Sequence, residues 1–420
     1  MKILFLQIHP LFPTDTGGKI RTLNVLRHLS RWHDVTYLCH VRPGEERYCA
    51  DMAALGLRIE TVERTGVARG SLQFYSALAR NLFSPLPFSS AKNYDPALQQ
   101  RAKELLARDQ FDLVICDFIH TALYAVGLDG PAKVLFQHNV EAQILKRHAA
   151  NSPGRFLRRY MALQGKRMFQ FEGKIGREFD AIIAVSDQDR QRFESDYGWK
   201  HVGVIDTGVD LEYFAPGQAA ERPGRVLFVG SLDWLPNQYG VRWFVEQVWP
   251  LIRQANPSAQ FQVVGRKPPR DILALGAVDG VQIVGTVPDV RPYLAESAVV
   301  VVPLAVGGGT RLKIFEAMSM GKVIVSTTVG CEGLPVVPGR HLLVEDQPER
   351  FARAVLQLLD RPAERAELGT AARELVCEHF GAETIARQFE HICQDVVERR
   401  RPGRHTVVER QRPAQSAVRA

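Results

Sequence analysis

The 420-residue chain carries 45% hydrophobic and 24% charged side chains and a formal net charge of +7, apolar content enough for two or three buried cores. No run approaches the ~18 apolar residues of a membrane span; the longest candidate, residues 298–306, contains Pro303. Six cysteines without C-x-x-C spacing read as buried free thiols, and His9, His138 and His201 show no H-x-x-x-H pairing, so neither a metal nor a cofactor is expected.

In chain order, the first apolar run, residues 3–8, is too short for a signal-peptide core and reads as a strand, which implies a cytoplasmic protein. Further strands are predicted at 35–41, 57–62, 111–116, 134–138, 181–185 and 202–205, alternating with helix-length amphipathic segments. The Pro/Gly/Ala-rich stretch 214–224 has no periodicity and reads as a linker. A second series follows, at 226–230, 261–264, 281–284, 299–303, 323–326 and 342–344, and then three helices at 348–359, 363–380 and 382–399. The expected organisation is α/β: a first doubly wound domain over 1–213, the linker, a second over 225–380, a helix over 381–399 that could cross back to the first domain, and a disordered basic tail over 400–420.

Charge is unevenly spread. Residues 146–178 hold nine Lys/Arg against two Glu, and residues 398–420 hold seven Arg against two Glu, so the rest of the chain sums to −5. Weak aromatic interleaving and the lack of a binding motif argue against nucleic acid, whereas an anionic membrane surface suits such patches. A peripheral position on the inner face of the cell membrane is therefore added to the cytoplasmic expectation.

Ligands of doubly wound sheets sit beyond the carboxyl ends of the strands. Gly17 and Gly18, His138, Gly230 and Ser231, Gly265 and Arg266, and the loop from Gly307 all fall at predicted strand ends. That loop reads Gly308-Gly309-Thr310-Arg311-Leu312-Lys313-Ile314-Phe315-Glu316. It matches neither a P-loop nor a dinucleotide fingerprint. If Thr310 caps a helix running to Met320, its backbone N–H groups at Gly308 to Thr310 suit phosphate. Arg311 and Lys313 lie in the first turn, where an anion offsets their clash with the helix dipole. Glu316 follows about 9 Å from the helix start at ~1.5 Å per residue, where a carboxylate can accept two hydrogen bonds from a ribose diol.

These residues resemble the donor-binding half of the GT-B glycosyltransferases of family four. Pro303-Leu304, the stretch from Gly308 to Met318, and Gly321-Lys322-Val323-Ile324-Val325-Ser326 carry the likeness; Gly17-Gly18, Phe136 to Glu141 and Gly208-Val209-Asp210 extend it to the first half. The segments Phe228 to Asn237 and His138 to Glu141 are most similar to the sugar transferases associated with exosortase/PEP-CTERM systems. The resemblance implies two Rossmann-like domains facing a cleft and retaining, metal-independent transfer from a nucleoside diphosphate sugar to a glycan or lipid-linked acceptor in exopolysaccharide or cell-surface glycan synthesis. It also implies that Gly18 brings a backbone N–H to the diphosphate and that His138 orients the donor sugar or helps the leaving group. Gly265 and Arg266 are placed near the base, and Arg311 and Lys313 at the departing diphosphate.

Two departures stand out. Gly308 occupies the region of the family's earlier glutamate, and the loop Gly230-Ser231-Leu232-Asp233 with Asn237-Gln238 lacks the usual arginine and lysine that grip the diphosphate. Arg311 and Lys313 are where that charge is expected to have moved. A nucleotide-sugar epimerase and a noncatalytic nucleotide-sugar-binding subunit of a polysaccharide assembly complex are the alternative readings.

Overall fold

A computed structural model of the protein describes residues 1–14, 16–64, 70–151, 154–217, 219–305 and 312–400. The first sheet contains β1 (Lys2–Leu6), β2 (Asp34–Val41), β3 (Arg58–Glu63), β4 (Leu113–Asp117), β5 (Ala132–Phe136), β6 (Ala181–Ala184) and β7 (Val202–Val204), in the order β3-β2-β1-β4-β5-β6-β7. The second contains β8 (Arg225–Val229), β9 (Gln260–Val264), β10 (Val281–Gly285), β11 (Val299–Val302), β12 (Ile324–Ser326) and β13 (Leu343–Val344), in the order β10-β9-β8-β11-β12-β13. Each strand pairing is parallel, for example Ile3 with Val35 and Val300 with Ile324. The doubly wound α/β expectation holds in both halves.

The near-continuous apolar runs follow from burial on both faces. Successive side chains of a strand point to opposite faces, so Ile3 and Phe5 enter one core while Leu4 and Leu6 enter the other. Val226 and Phe228 are likewise separated from Leu227 across the second sheet. Strand β5 ends at Phe136, which puts His138 beyond the strand instead of at its end, although Gln137 N–H still donates to the Ile183 carbonyl at 2.8 Å.

The closing helix, Ala382–Arg400, packs on the first sheet. Its Ile385, Phe389, Cys393, Val396 and Val397 share a core with Phe5, Ile115, Val134 and Phe136. The helix runs to Arg400, whose side chain donates to the Gly130 carbonyl at 3.3 Å and pairs with Asp180 at 3.2 Å. This residue therefore belongs to the helix and not to the tail; residues 401–420 lie outside those described.

The chain passes between the two sheets twice, and the two passages touch. Val209 forms a parallel bridge with Gly381, with Val209 N–H on the Phe380 carbonyl and Ala382 N–H on the Val209 carbonyl, both at 2.8 Å. Gly208 lies so close that a Cβ there would stand 2.8 Å from Ala382 Cα.

Phe389→Ala should lower the stability of the first sheet by about 3–5 kcal/mol, the usual cost of deleting a buried phenyl ring. Urea unfolding followed by amide exchange tests this, with the loss expected at β1 and β5. Loss confined to β8 to β13 would contradict the packing described.

Candidate active site at the sheet edges

In each half the order of strands reverses once, between β1 and β4 and between β8 and β11, which opens a crevice at their carboxyl ends. Two clusters of polar side chains occupy these places.

The first is built on the helix Gly17–Trp32, whose Thr16 cap accepts from Lys19 N–H at 3.4 Å. One turn in, buried Arg21 donates to His138 Nδ1 at 2.8 Å and to the Thr207 hydroxyl at 2.9 Å. His138 Nε2 meets Asp117 Oδ1 at 2.6 Å, and the other carboxylate oxygen accepts from Thr22 at 2.8 Å and Gln7 at 2.5 Å. Because a guanidinium can only donate, Nδ1 must accept, so the imidazole carries its proton on Nε2 and donates it to Asp117. Burial is the main cause that lowers the His138 pKa; Asp117 opposes it and Arg21 adds to it, and the ring is held neutral. Burial also pushes Arg21 down to about 10, with Asp117 opposing, so it stays charged.

Both nitrogens of His138 are thus occupied inside the protein and only 4% of the residue is exposed. Phe118 stacks on its ring at 4.0 Å between centroids. A direct hydrogen bond from His138 to a sugar requires one of its present partners to be given up. The segment that follows is fixed by Glu172, whose buried carboxylate accepts from Glu141 and Ala142 N–H at 3.0 Å each and from Tyr197 at 2.7 Å.

The second cluster surrounds the loop after β8. Asn237 and Gln238 fold back to donate to the Ser231 and Leu232 carbonyls at 2.8 and 2.7 Å. Lys313, in the first turn of the helix Leu312–Ser319, places Nζ 2.7 Å from Asn237 Oδ1 and 4.6 Å from the Phe228 ring centroid. Arg266 donates through Nε to the Ser231 hydroxyl at 3.1 Å and lies 3.4 Å from Asp233. The loop that has no lysine or arginine of its own is therefore met by two cations from elsewhere in the domain. Gly265 is packed so tightly on this loop that a Cβ would fall 1.9 Å from the Gly230 carbonyl oxygen. Glu316, half-buried one turn beyond Lys313, is pushed up to about 7 by burial, with Lys313 opposing the shift. Gly308, Gly309, Thr310 and Arg311 lie outside the described residues.

Of the residues expected from sequence, Gly18 and His138 fall in the first cluster and Gly230, Ser231, Gly265, Arg266 and Lys313 in the second; Gly17 begins the helix that carries Gly18. Sequence reasoning missed Arg21, Asp117, Thr207 and Phe118. An arginine inside the apolar stripe of an amphipathic helix and an aspartate ending an apolar strand were the available signals. Among the described residues no group of His, Cys, Asp and Glu is arranged to hold a metal ion, and no helix is long and apolar enough to cross a membrane.

Comparison with known proteins defines the class. Residues 16–213 match the family described as "Glycosyltransferase Family 4" and residues 223–361 the family described as "Glycosyl transferases group 1". The protein is a GT-B glycosyltransferase, and it belongs to family 4. A Klebsiella pneumoniae protein described as an uncharacterized 44.6 kDa protein in the cps region is 21% identical over 402 residues, 91% of this chain and 97% of that protein. The lipopolysaccharide core biosynthesis mannosyltransferase LpcC of Rhizobium leguminosarum is 26% identical over 58% of this chain and 72% of its own. Among solved structures, Anabaena HepE in complex with UDP and glucose superposes with a TM-score of 0.65 at 15% identity, covering 94% of this chain and 99% of that one. Sucrose-phosphate synthase from Thermosynechococcus elongatus gives 0.67 at 18% identity, covering 95% and 100%.

The geometry predicts a His138 ring protonated on Nε2 alone at neutral pH. Imidazole nitrogen shifts measured by NMR check this; a doubly protonated ring at that pH would contradict the Arg21 contact.

Proposed function

We propose that the protein transfers a glycosyl group from a nucleoside diphosphate sugar to an acceptor hydroxyl with retention at the anomeric carbon and without a metal. The observation that carries this reading is Lys313, held by Asn237 at the loop after β8 with Glu316 one turn further along the same helix. A cation followed by a carboxylate suits a diphosphate followed by a ribose. The diphosphate gains charge as the glycosidic bond breaks, so Lys313 and Arg311 stabilise the transition state more than the ground state. Gly17 and Gly18 bring the first domain to the same diphosphate, with Gly18 supplying a backbone N–H. Ser231 and Arg266 border the nucleotide, Gly308 to Thr310 offer N–H groups to phosphate, and Glu316 takes the ribose. His138 acts from beneath Phe118.

The acceptor in this reading is a glycan or lipid-linked saccharide, and the setting is exopolysaccharide or cell-surface glycan assembly. The Klebsiella relative's cps region supports that setting, and the same reading places the protein among the exosortase/PEP-CTERM-associated transferases. Incubating the pure protein with UDP-glucose, GDP-mannose and other nucleotide sugars plus a lipid extract tests it. Nucleotide release matched by glycosylated product is expected; binding without turnover, or donor isomerisation without an acceptor, would overturn it.

Lys313→Ala should weaken the diphosphate much more than the monophosphate and lower turnover at saturating donor. Glu316→Ala should weaken nucleotide and nucleotide sugar alike by about 1.5–3 kcal/mol. Only the ionised Glu316 can accept both ribose hydroxyls, and its pKa of about 7 means that nucleotide affinity rises between pH 6 and 8. Calorimetry on Glu316→Gln in parallel isolates that rise, which should vanish in the variant; an equal rise in both proteins would remove Glu316 from the site.

The first domain also presents a surface suited to an anionic membrane. Phe83, Leu72 and Phe156 are 93, 86 and 77% exposed. Arg80 is exposed on the helix Leu72–Asn81, just before Phe83, and Arg155, Arg158 and Arg159 are exposed on the helix that carries Phe156. The helix Arg155–Ile175 is tied to the Phe83 segment by Arg167, which donates to the Asn81 and Leu82 carbonyls at 2.7 Å each. Exposed aromatic and aliphatic groups among cations match an interfacial mode of binding, with the protein peripheral on the cytoplasmic face. Flotation with phosphatidylglycerol vesicles should recover the protein, and Phe83→Ser with Phe156→Ser should abolish recovery. Equal recovery on neutral phosphatidylcholine would argue against the charge component.

A further inference from the structure

Phe118 follows β4 directly, at the place where the first sheet reverses its strand order. Its backbone lies at φ 66° and ψ 152°, a region that residues with a Cβ rarely occupy and that costs about 1–3 kcal/mol. Hydrogen bonds hold it there. Its N–H donates to the Phe136 carbonyl at 2.8 Å, and its carbonyl accepts from the Thr121 hydroxyl at 2.9 Å. An ordinary core phenylalanine needs no such backbone, since either face of the sheet offers apolar burial. Phe118 instead remains half-buried at the crevice.

One face of the ring lies on His138, with an interplanar angle of 18°. Its tip meets Gly18, where a Cβ would stand 2.5 Å from Cζ. His138 in turn is clamped by Arg21 and Asp117, so the ring rests on an immobile support. We propose that Phe118 is a saccharide-stacking platform, with the apolar C–H face of a hexopyranose lying on the ring face opposite His138. The negative π face of an aromatic ring attracts the weakly positive C–H groups of a sugar, and a rigid ring loses little entropy in doing so. The strained backbone is then the cost of presenting that face to the cleft.

The proposal rests on the glycosyl-transfer reading, and the pyranose could be the donor's transferred sugar or the acceptor's terminal sugar. Calorimetry with UDP, UDP-glucose, GDP and GDP-mannose, together with acceptor KM measured on p-nitrophenyl hexosides, separates these. Phe118→Leu and Phe118→Gly remove the ring, and glycine adopts the observed φ without strain, so the second variant keeps the fold. Phe118→Tyr keeps the ring. Affinity for UDP or GDP alone should be unchanged in every variant. A loss of about fivefold in nucleotide-sugar affinity in the Leu and Gly variants, restored by Tyr, identifies the donor's sugar; a rise of similar size in acceptor KM alone identifies the acceptor's. Unchanged sugar affinity and acceptor KM in Leu and Gly variants that bind nucleotide normally would overturn the platform and leave glycosyl transfer standing. A wild-type protein that binds none of the nucleotides would overturn both.

Discussion

Arg21 and Asp117 are charged and removed from water, and neither would be tolerated alone. Breaking a buried charge pair by removing one partner costs about 3–5 kcal/mol. Here the neutral His138 imidazole lies between them, accepting from one and donating to the other. That arrangement joins four parts of the fold, because Arg21 and Thr22 come from the first helix, Asp117 from β4, His138 from just beyond β5, and Gln7 from just beyond β1. The same helix continues the connection toward the second half. Asn24 donates to the Gly208 carbonyl at 3.1 Å, and Arg27 pairs with Asp210 at 2.5 Å. Gly18, Arg21, Asn24 and Arg27, spaced three apart, are successive neighbours along that helix. A single helix therefore runs from the crevice to the passage between the domains.

The second half handles its charge differently. Its cations are not placed on the loop after β8: Lys313 arrives from a following helix and donates to Asn237, and Arg266 comes from just after β9 and donates to Ser231. Asp233 tempers Arg266 but stands 3.4 Å away. Lys313 also reaches the neighbourhood of Glu316, where it favours the ionised carboxylate against the desolvation that opposes it. The two ends of the proposed nucleotide site are thus electrostatically linked.

The doubly wound halves were legible because parallel strands buried on both faces leave long apolar runs, such as Val299 to Val302, that survive without any alignment. Gly18, Gly230 and Gly265 stood out in the sequence as places of close backbone approach, and a Cβ at each would indeed collide with a neighbour; what they and Lys313 bind is part of the proposed function. The support around His138 was not. Arg21 and Asp117 are separated by nearly a hundred positions and meet only through tertiary packing, which no local pattern encodes. Exposure was hidden for the same reason at Phe83, which looks like a core residue by type, and Phe118 looks like an ordinary aromatic after a strand; Phe156, by contrast, lies in the basic stretch 146–178 that the sequence already suggested for a membrane surface.

The helix Ala382–Arg400 completes the core of the first sheet although it follows the whole of the second in sequence. A fragment that stops before Gly208 would leave Phe5, Val134 and Phe136 without Phe389 and Ile385, and would uncover the part of that sheet face which the first helix, with Leu23 and Leu26, does not cover. The first domain is therefore not a contiguous gene segment. Chimeras meant to exchange first domains between related proteins must transplant two stretches of chain together with the paired Val209 and Gly381 junction. In biosynthesis, the core of the first sheet is therefore completed only after the second half has been made.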